Sequence, residues 1–351
     1  MTPRPIHTST THLAELPGGQ TLRAYTLEAE GGIKAVILNY GGILHELWVP
    51  DQNGEPADIL LGQKTPTLYV EENDVYFGAL IGPFGNRISR GCFSLDGVPY
   101  EVAVNAPPHQ LHGGPNGFHT KWWTGGFADD HSLRLRTSCP HGEDGFPGGR
   151  EVHVTFRLTP EGGLRYEFEV TTDRPTVLNL TAHPYFNLAG QAAGSLAGHT
   201  MQCIADRYVE VDAAGIPTGN LPPVDGTPFD FRADSPIAPR LNADHPQIRQ
   251  ANGFDHTLAF PEERNPSAPV ARMRDNESGR CMEIYTSEPG VQFYTGNTLP
   301  QTPRTKAPYG PHAGFCLETQ HFPDSPNHPA FPSTAVRPGE VFRTFTELRF
   351  L

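Results

Sequence analysis

The sequence predicts an all-β protein, a large antiparallel β-sandwich with little helix. Apolar and polar residues alternate with a period of two along much of the chain, as strands with one wet face require. Glycine (37) and proline (36) make up roughly a fifth of the 351 residues, against about 12% in an average protein. They are spread along the chain, so they read as turns between short strands and not as one disordered tail. Helical periodicity is scarce. The 20 Phe, 11 Tyr and 3 Trp are enough to fill a substantial core.

Taken in order, residues 1–20 contain no continuous apolar run of about seven, so they read as a loosely ordered segment with no secretory signal. Three apolar runs, 21–29, 33–40 and 43–49, are separated by Gly31-Gly32 and Gly41-Gly42, which suggests a meander. A single helical turn is plausible over 66–74, where Pro66 can open it, and another over 242–250. The clearest hairpin has arms Val152, Val154, Phe156, Leu158 and Leu164, Tyr166, Phe168, Val170, joined through Gly162-Gly163. Residues 203–234 are loop-rich but carry spaced hydrophobes, so they read as an ordered excursion. Residues 341–351 read as a closing strand. No linker interrupts the pattern, and residues 1–351 are expected to form one domain.

The formal charge of −13 opposes nucleic acid and anionic membrane surfaces, which require clustered Lys and Arg. The five cysteines are scattered and never form a CxxC pair. None of the 16 histidines stands in an HxH or HExxH spacing, so no metal is expected. No stretch approaches the roughly 20 apolar residues of a membrane span. A cytoplasmic protein, monomeric or homodimeric, is the expectation.

Glu318 closes a short apolar run, Phe315-Cys316-Leu317, just before a loop rich in Pro and His. A carboxylate at the mouth of a buried strand suits a general base, because partial desolvation raises its pKa towards neutrality. The plain alternative is an edge-strand glutamate facing water. Four other segments set polar groups among glycines or aromatics: Asn86-Arg87 after Gly85, His112 before Gly113-Gly114, His183 before Pro184-Tyr185-Phe186, and Asp255 after Phe254.

Seven segments in order resemble the aldose 1-epimerase family: GNRISRGCFSLDGVPYEVAVN (85–105), HQLHGGPNGF (109–118), VLNLTAHPYFNLAG (177–190), IPTGNLPPVDGTPFDFR (216–232), GFDHTLAF (253–260), PGVQFYTGNTL (289–299) and GFCLETQHFPDSPNHPAFPSTAVRPGE (314–340). The resemblance implies a β-sandwich with a sugar site in an open cleft, a small-molecule aldose as substrate, and no cofactor. It assigns Glu318 as general base and His183 as general acid. It makes His112, Asn86, Arg87 and Asp255 holders of the sugar, with Tyr185 and Phe293 lining the cleft. Ring opening of a hexopyranose needs a proton taken from the anomeric hydroxyl and one given to the ring oxygen, which a Glu and a His can do together. On this reading the carboxylate raises the His183 pKa and keeps it an imidazolium.

Three rivals share these residues. A sugar-phosphate mutarotase would need further cationic groups, with Arg87 and Arg90 the nearest pair. A glycoside hydrolase would pair Glu318 with Asp255 as two carboxylates, leaving both histidines idle. A non-catalytic sugar-binding module would need neither the acid nor the base.

Overall fold

The computed structural model describes residues 5–351, and among these strands dominate, with α-helix limited to Leu68–Glu71 and Pro246–Ala251. The expected helical turns are therefore present but shorter than their sequence windows. Both strand-rich arms of the hairpin extend, to Arg150–Leu158 and Gly163–Thr172, and pair antiparallel with Val152 opposite Val170 and Leu158 opposite Leu164. Val152, Val154, Phe156 and Leu158 are buried while Glu151 and Arg157 face water, as the period of two requires.

These arms belong to a nine-stranded antiparallel sheet. Its order is Thr124–Asp129, Ser132–Cys139, Arg150–Leu158, Gly163–Thr172, Phe342–Phe350, Cys281–Thr286, Ala271–Asp275, His199–Cys203 and Ser235–Pro236. The closing strand thus sits in the middle of the sheet, tied to both the hairpin and the Cys281–Thr286 strand. A five-stranded sheet, Ile6–Glu15 through Pro56–Asp58, contains the expected meander. A four-stranded sheet runs in the order Arg207–Tyr208, Asp255–Ala259, Gly290–Tyr294 and Cys316–Gln320. One buried cluster joins the three, with Leu27 and Ile37 from the second sheet, Val154 and Phe168 from the first, and Phe293 and Leu317 from the third.

The N-terminal expectation is corrected. Ile6–Glu15 is a ten-residue strand paired along its length with Thr21–Ala29, although residues 7–13 are exposed. Backbone hydrogen bonding to the meander, and not burial of an apolar face, holds it, so no apolar pattern announces it. Residues 1–4 lie outside the described residues. The excursion at 203–234 is ordered: Val209, Val224, Phe229 and Phe231 are fully or almost fully buried. No helix among the described residues is long and apolar enough to cross a membrane.

Candidate active site

The four-stranded sheet builds the site by register. Gln292 stands opposite Glu318, Thr257 opposite Gln292, and Tyr294 opposite both Asp255 and Cys316. Cross-strand partners share a face, so Asp255, Thr257, Gln292, Tyr294, Cys316 and Glu318 all project from one side. Leu258, Val291, Phe293, Leu317 and Thr319 project from the other side, which packs into the main core. All five residues of Cys316–Gln320 are buried, so Glu318 is a carboxylate inside the protein and not an edge residue facing water.

His183 arrives from a different part of the chain. Its N–H donates to the Ala79 carbonyl at 2.9 Å, and its carbonyl accepts the Gly78 N–H at 3.0 Å. This fixes the backbone and brings Nε2 to 3.6 Å from Glu318 Oε1. The other ring nitrogen, Nδ1, lies 3.5 Å from the Cys316 thiol. Tyr185 stacks on the imidazole with centroids 4.9 Å apart and planes at 29°. Tyr185 is therefore buried against His183 and braces its imidazole.

His112 and Asn86 grip each other through their backbones and one side chain. The His112 N–H donates to Asn86 O at 3.0 Å, and the Asn86 N–H donates to His112 Nδ1 at 3.2 Å. Both residues have φ near +55°, at 51° and 59°, so the two turns hold each other in a conformation L residues seldom adopt. A Cβ on the next residue, Gly113, would lie 2.0 Å from the Gly82 carbonyl oxygen, so only glycine lets this loop close. Asn86 Oδ1 accepts the Arg87 N–H at 2.9 Å. The Arg87 guanidinium rests against Gly215, where a Cβ would come within 3.2 Å of Nη1.

Asp255 Oδ1 accepts the Gln292 carboxamide at 2.7 Å, and Gln292 Oε1 accepts the Thr257 hydroxyl at 2.6 Å. The sequence reading missed Gln292. Its signal was period-2 alternation in Val291-Gln292-Phe293-Tyr294, where the aromatic Phe293 drew attention to the wrong face. Phe293 is a correction: it is fully buried and packs on Phe254 at 4.9 Å and Phe231 at 5.7 Å, in the core and not in the cleft. Tyr294, one residue on, is partly exposed and 6.5 Å from the His183 ring. A step of one residue along a strand reverses the face. Asn179, also missed, bonds Gly85 O, His321 O and the His321 N–H, and so ties the Asn86 turn to the end of the Glu318 strand.

Burial dominates the electrostatics. Desolvation pushes the Glu318 carboxyl well above its ordinary range, and the Asp255 charge adds to this while Arg87 opposes it. Desolvation lowers His183 to about 4, against a smaller opposing effect of its own backbone, so the expected imidazolium is corrected: loss of water dominates at this ring. His112 is also held well below its usual value, by burial first and then by His183 and Arg87. The buried Glu318 Oε2 has no hydrogen-bond partner among the described residues, so one carboxylate oxygen keeps unused acceptor capacity.

Atoms of His112, His183 and Glu318 lie within 4.8 Å of one another, a grouping that could suggest a cation site. The fit is poor. Because His112 Nδ1 accepts the Asn86 N–H, the proton of the neutral ring sits on Nε2, which faces inwards as a donor and offers no lone pair. Arg90 lies apart: it lines a cavity with Asp324 and His328 that none of the expected site residues lines. A second cation for a phosphoryl group is thus not supplied by Arg90.

The sequence profile described as aldose 1-epimerase matches residues 23–349. The chain is similar to the galactose mutarotase of Homo sapiens, at 40% identity over 340 residues that cover 96% of each chain. It is similar to the aldose 1-epimerase of Escherichia coli K12 at 34% identity, covering 95% of this chain and 97% of that one. Among solved structures, a galactose 1-epimerase from Lactobacillus acidophilus superposes with a TM-score of 0.87 at 26% identity, covering 99% of both chains.

Proposed function

Because this chain belongs to the aldose 1-epimerase family, we propose that its interconversion of α and β aldose anomers runs through Glu318 as general base and His183 as general acid. The enzyme is an isomerase, and its substrates are aldoses. D-Galactose and D-glucose are the substrates we assign, the first following the relatives' names.

In the proposed mechanism Glu318 takes the proton of the anomeric hydroxyl as the C1–O5 bond breaks. His183 Nε2 gives a proton to the departing ring oxygen. The open aldehyde turns about C1–C2 and the ring closes on the other face, with both transfers reversed. The Glu318–His183 pair holds one proton throughout. In the free protein it is on Glu318, where burial favours two neutral groups. It is on His183 once the bound sugar presents its anomeric hydroxyl to the carboxylate and its ring oxygen to the imidazolium, and on Glu318 again after opening. Burial disfavours the charged form of each partner. It therefore favours the neutral distribution reached when the ring is open, and ring opening moves the pair downhill. His112 Nε2–H donates to a sugar oxygen, while Asp255, Gln292, Asn86 and Arg87 hold hydroxyls. Arg87 suits vicinal hydroxyls through its planar fork.

The observation that carries this reading is the 3.6 Å approach of His183 Nε2 to Glu318 Oε1, both buried, with Oε2 unpartnered. Polarimetry of freshly dissolved α-D-galactose and α-D-glucose tests it. The wild-type protein is expected to speed relaxation to the ordinary equilibrium rotation, and Glu318→Gln to lose about 10²–10⁴ of that rate. A Glu318→Gln protein retaining more than about a tenth of wild-type turnover would falsify the base assignment.

A further inference from the structure

We propose that Tyr76 is a positioning residue for both working imidazoles, its ring holding His112 and His183 at the angle at which each can meet the sugar. The inference rests on the acid–base reading above and extends it to a residue outside every motif the sequence suggested.

Tyr76 is partly buried and meets three histidine rings at once. Its centroid lies 4.6 Å from His112 at 65°, 4.8 Å from His119 at 72°, and 5.9 Å from His183 at 24°. The two edge-on contacts and the near-parallel one are geometries that aromatic pairs favour. His112 and His183 themselves stand 5.2 Å apart at 80°. A ring against both restricts rotation of each imidazole about its χ2 torsion, which is otherwise broad.

The backbone supports the assignment. Tyr76 has φ of +60°, a value that a bulky aromatic residue adopts only where its surroundings impose it. The surroundings are on hand: its N–H donates to Asn73 O at 2.9 Å, and its carbonyl accepts the Ala79 N–H at 3.0 Å. Gly78 and Ala79, in the same turn, hold the backbone of His183 from both sides. The phenol points towards Asn105, whose carboxamide brackets the backbone of Leu111, the residue before His112. The turn is therefore joined to His183 through the backbone and to His112 through Asn105, with the ring between. Glycine at this position would relieve the backbone, so tyrosine here runs against local preference.

The test compares Tyr76→Gly and Tyr76→Phe with the wild-type protein by polarimetry, with kcat and KM for α-D-galactose measured separately. Tyr76→Gly removes the ring and suits the backbone. It is expected to fold, to lose about tenfold or more in kcat, and to keep KM within about threefold. Tyr76→Phe keeps the ring and is expected to restore at least about half of kcat. If Tyr76→Gly keeps wild-type kcat, the proposal fails. If the whole effect lies in KM, the ring is a wall for the sugar and not a support for the imidazoles. A Phe variant as poor as the Gly variant would assign the role to the hydroxyl and overturn the proposal. Should Tyr76→Gly not fold, Tyr76→Asn, which tolerates the same backbone, takes its place. Loss of fold in both would make Tyr76 a core residue and also overturn the proposal. Wild-type activity and its loss in Glu318→Gln test the acid–base reading separately, so failure of one inference is distinguishable from failure of the other.

Discussion

The hairpin of the nine-stranded sheet and the Glu318 strand of the four-stranded sheet are both regular antiparallel structure, yet they use their polar residues in opposite ways. Across the hairpin and the strands beside it, Glu169 pairs in water with Arg134 and Arg343, at side-chain exposures of 38–57%. On the four-stranded sheet the polar face carries Glu318, Gln292 and Cys316 buried, with one Glu318 oxygen unpartnered. A polar face in water is a solubility device worth little energy. A polar face kept from water and left incompletely bonded opposes stability, and persists where a guest completes it.

The largest effect that would break this contrast is on rate. Glu318→Gln removes the proposed base and is expected to lower turnover by about 10²–10⁴ while leaving the melting temperature equal or higher, since a buried carboxylate is replaced by a neutral group. A melting temperature that fell along with the rate would make Glu318 structural.

Phe293→Ala tests the opposite face of the same sheet. It empties core volume between Phe231 and Phe254 and should destabilise the protein by about 3–5 kcal/mol, read from denaturant unfolding. Its effect on the turnover of the folded fraction should be far smaller than that of Glu318→Gln. If the order were reversed, Phe293 would be in the cleft after all.

Asp255→Asn sharpens the electrostatic part. The Asp255 charge raises the Glu318 pKa, so its removal lowers it. The alkaline limb of the kcat/KM profile, where the pair loses its last proton, should move to lower pH. A limb that stays in place or moves up would show that Asp255 does not face Glu318 in solution.

Stability should respond to acid. His45, His119, His183, His199 and His256 are all depressed to between about 3 and about 4, chiefly by burial. A histidine held neutral in the fold contributes stability that is full above its unfolded value near 6.5 and is lost as pH falls towards the folded one. Each contributes a slope of at most about 1.4 kcal/mol per pH unit. Glu318, Asp58 and Asp324 are shifted up by burial and act in the opposite sense, losing stability as pH rises above about 4. With more histidines depressed, His112 among them, than carboxyls raised, the melting temperature should fall between pH 6.5 and 4.5, and a flat profile would count against neutral burial. The smallest effect belongs to the wet face: Glu169→Ala should change stability by less than about 1 kcal/mol and leave turnover unchanged.

Much of this was legible beforehand for a physical reason. Strand alternation is local, so the hairpin, the meander and the closing strand could be read from residues two apart. The pairing of Glu318 with His183 was legible only through resemblance, since 135 positions separate them and no local rule links such distant residues. Phe293 was misplaced because its chemistry suits both a sugar face and a core, and only register separates it from Tyr294.

By itself, then, the sequence determined the all-β class and the family, and it named the residues to which the proposed acid, base and sugar-holding roles are assigned. Register and packing decided which side of each strand became the site, as with Gln292 over Phe293. They also decided that burial holds the His183 pKa down, because desolvation depends on everything packed around the ring and not on its neighbours in the chain. The same holds for Tyr76, whose role comes from three histidine rings brought to it by segments up to 107 residues away.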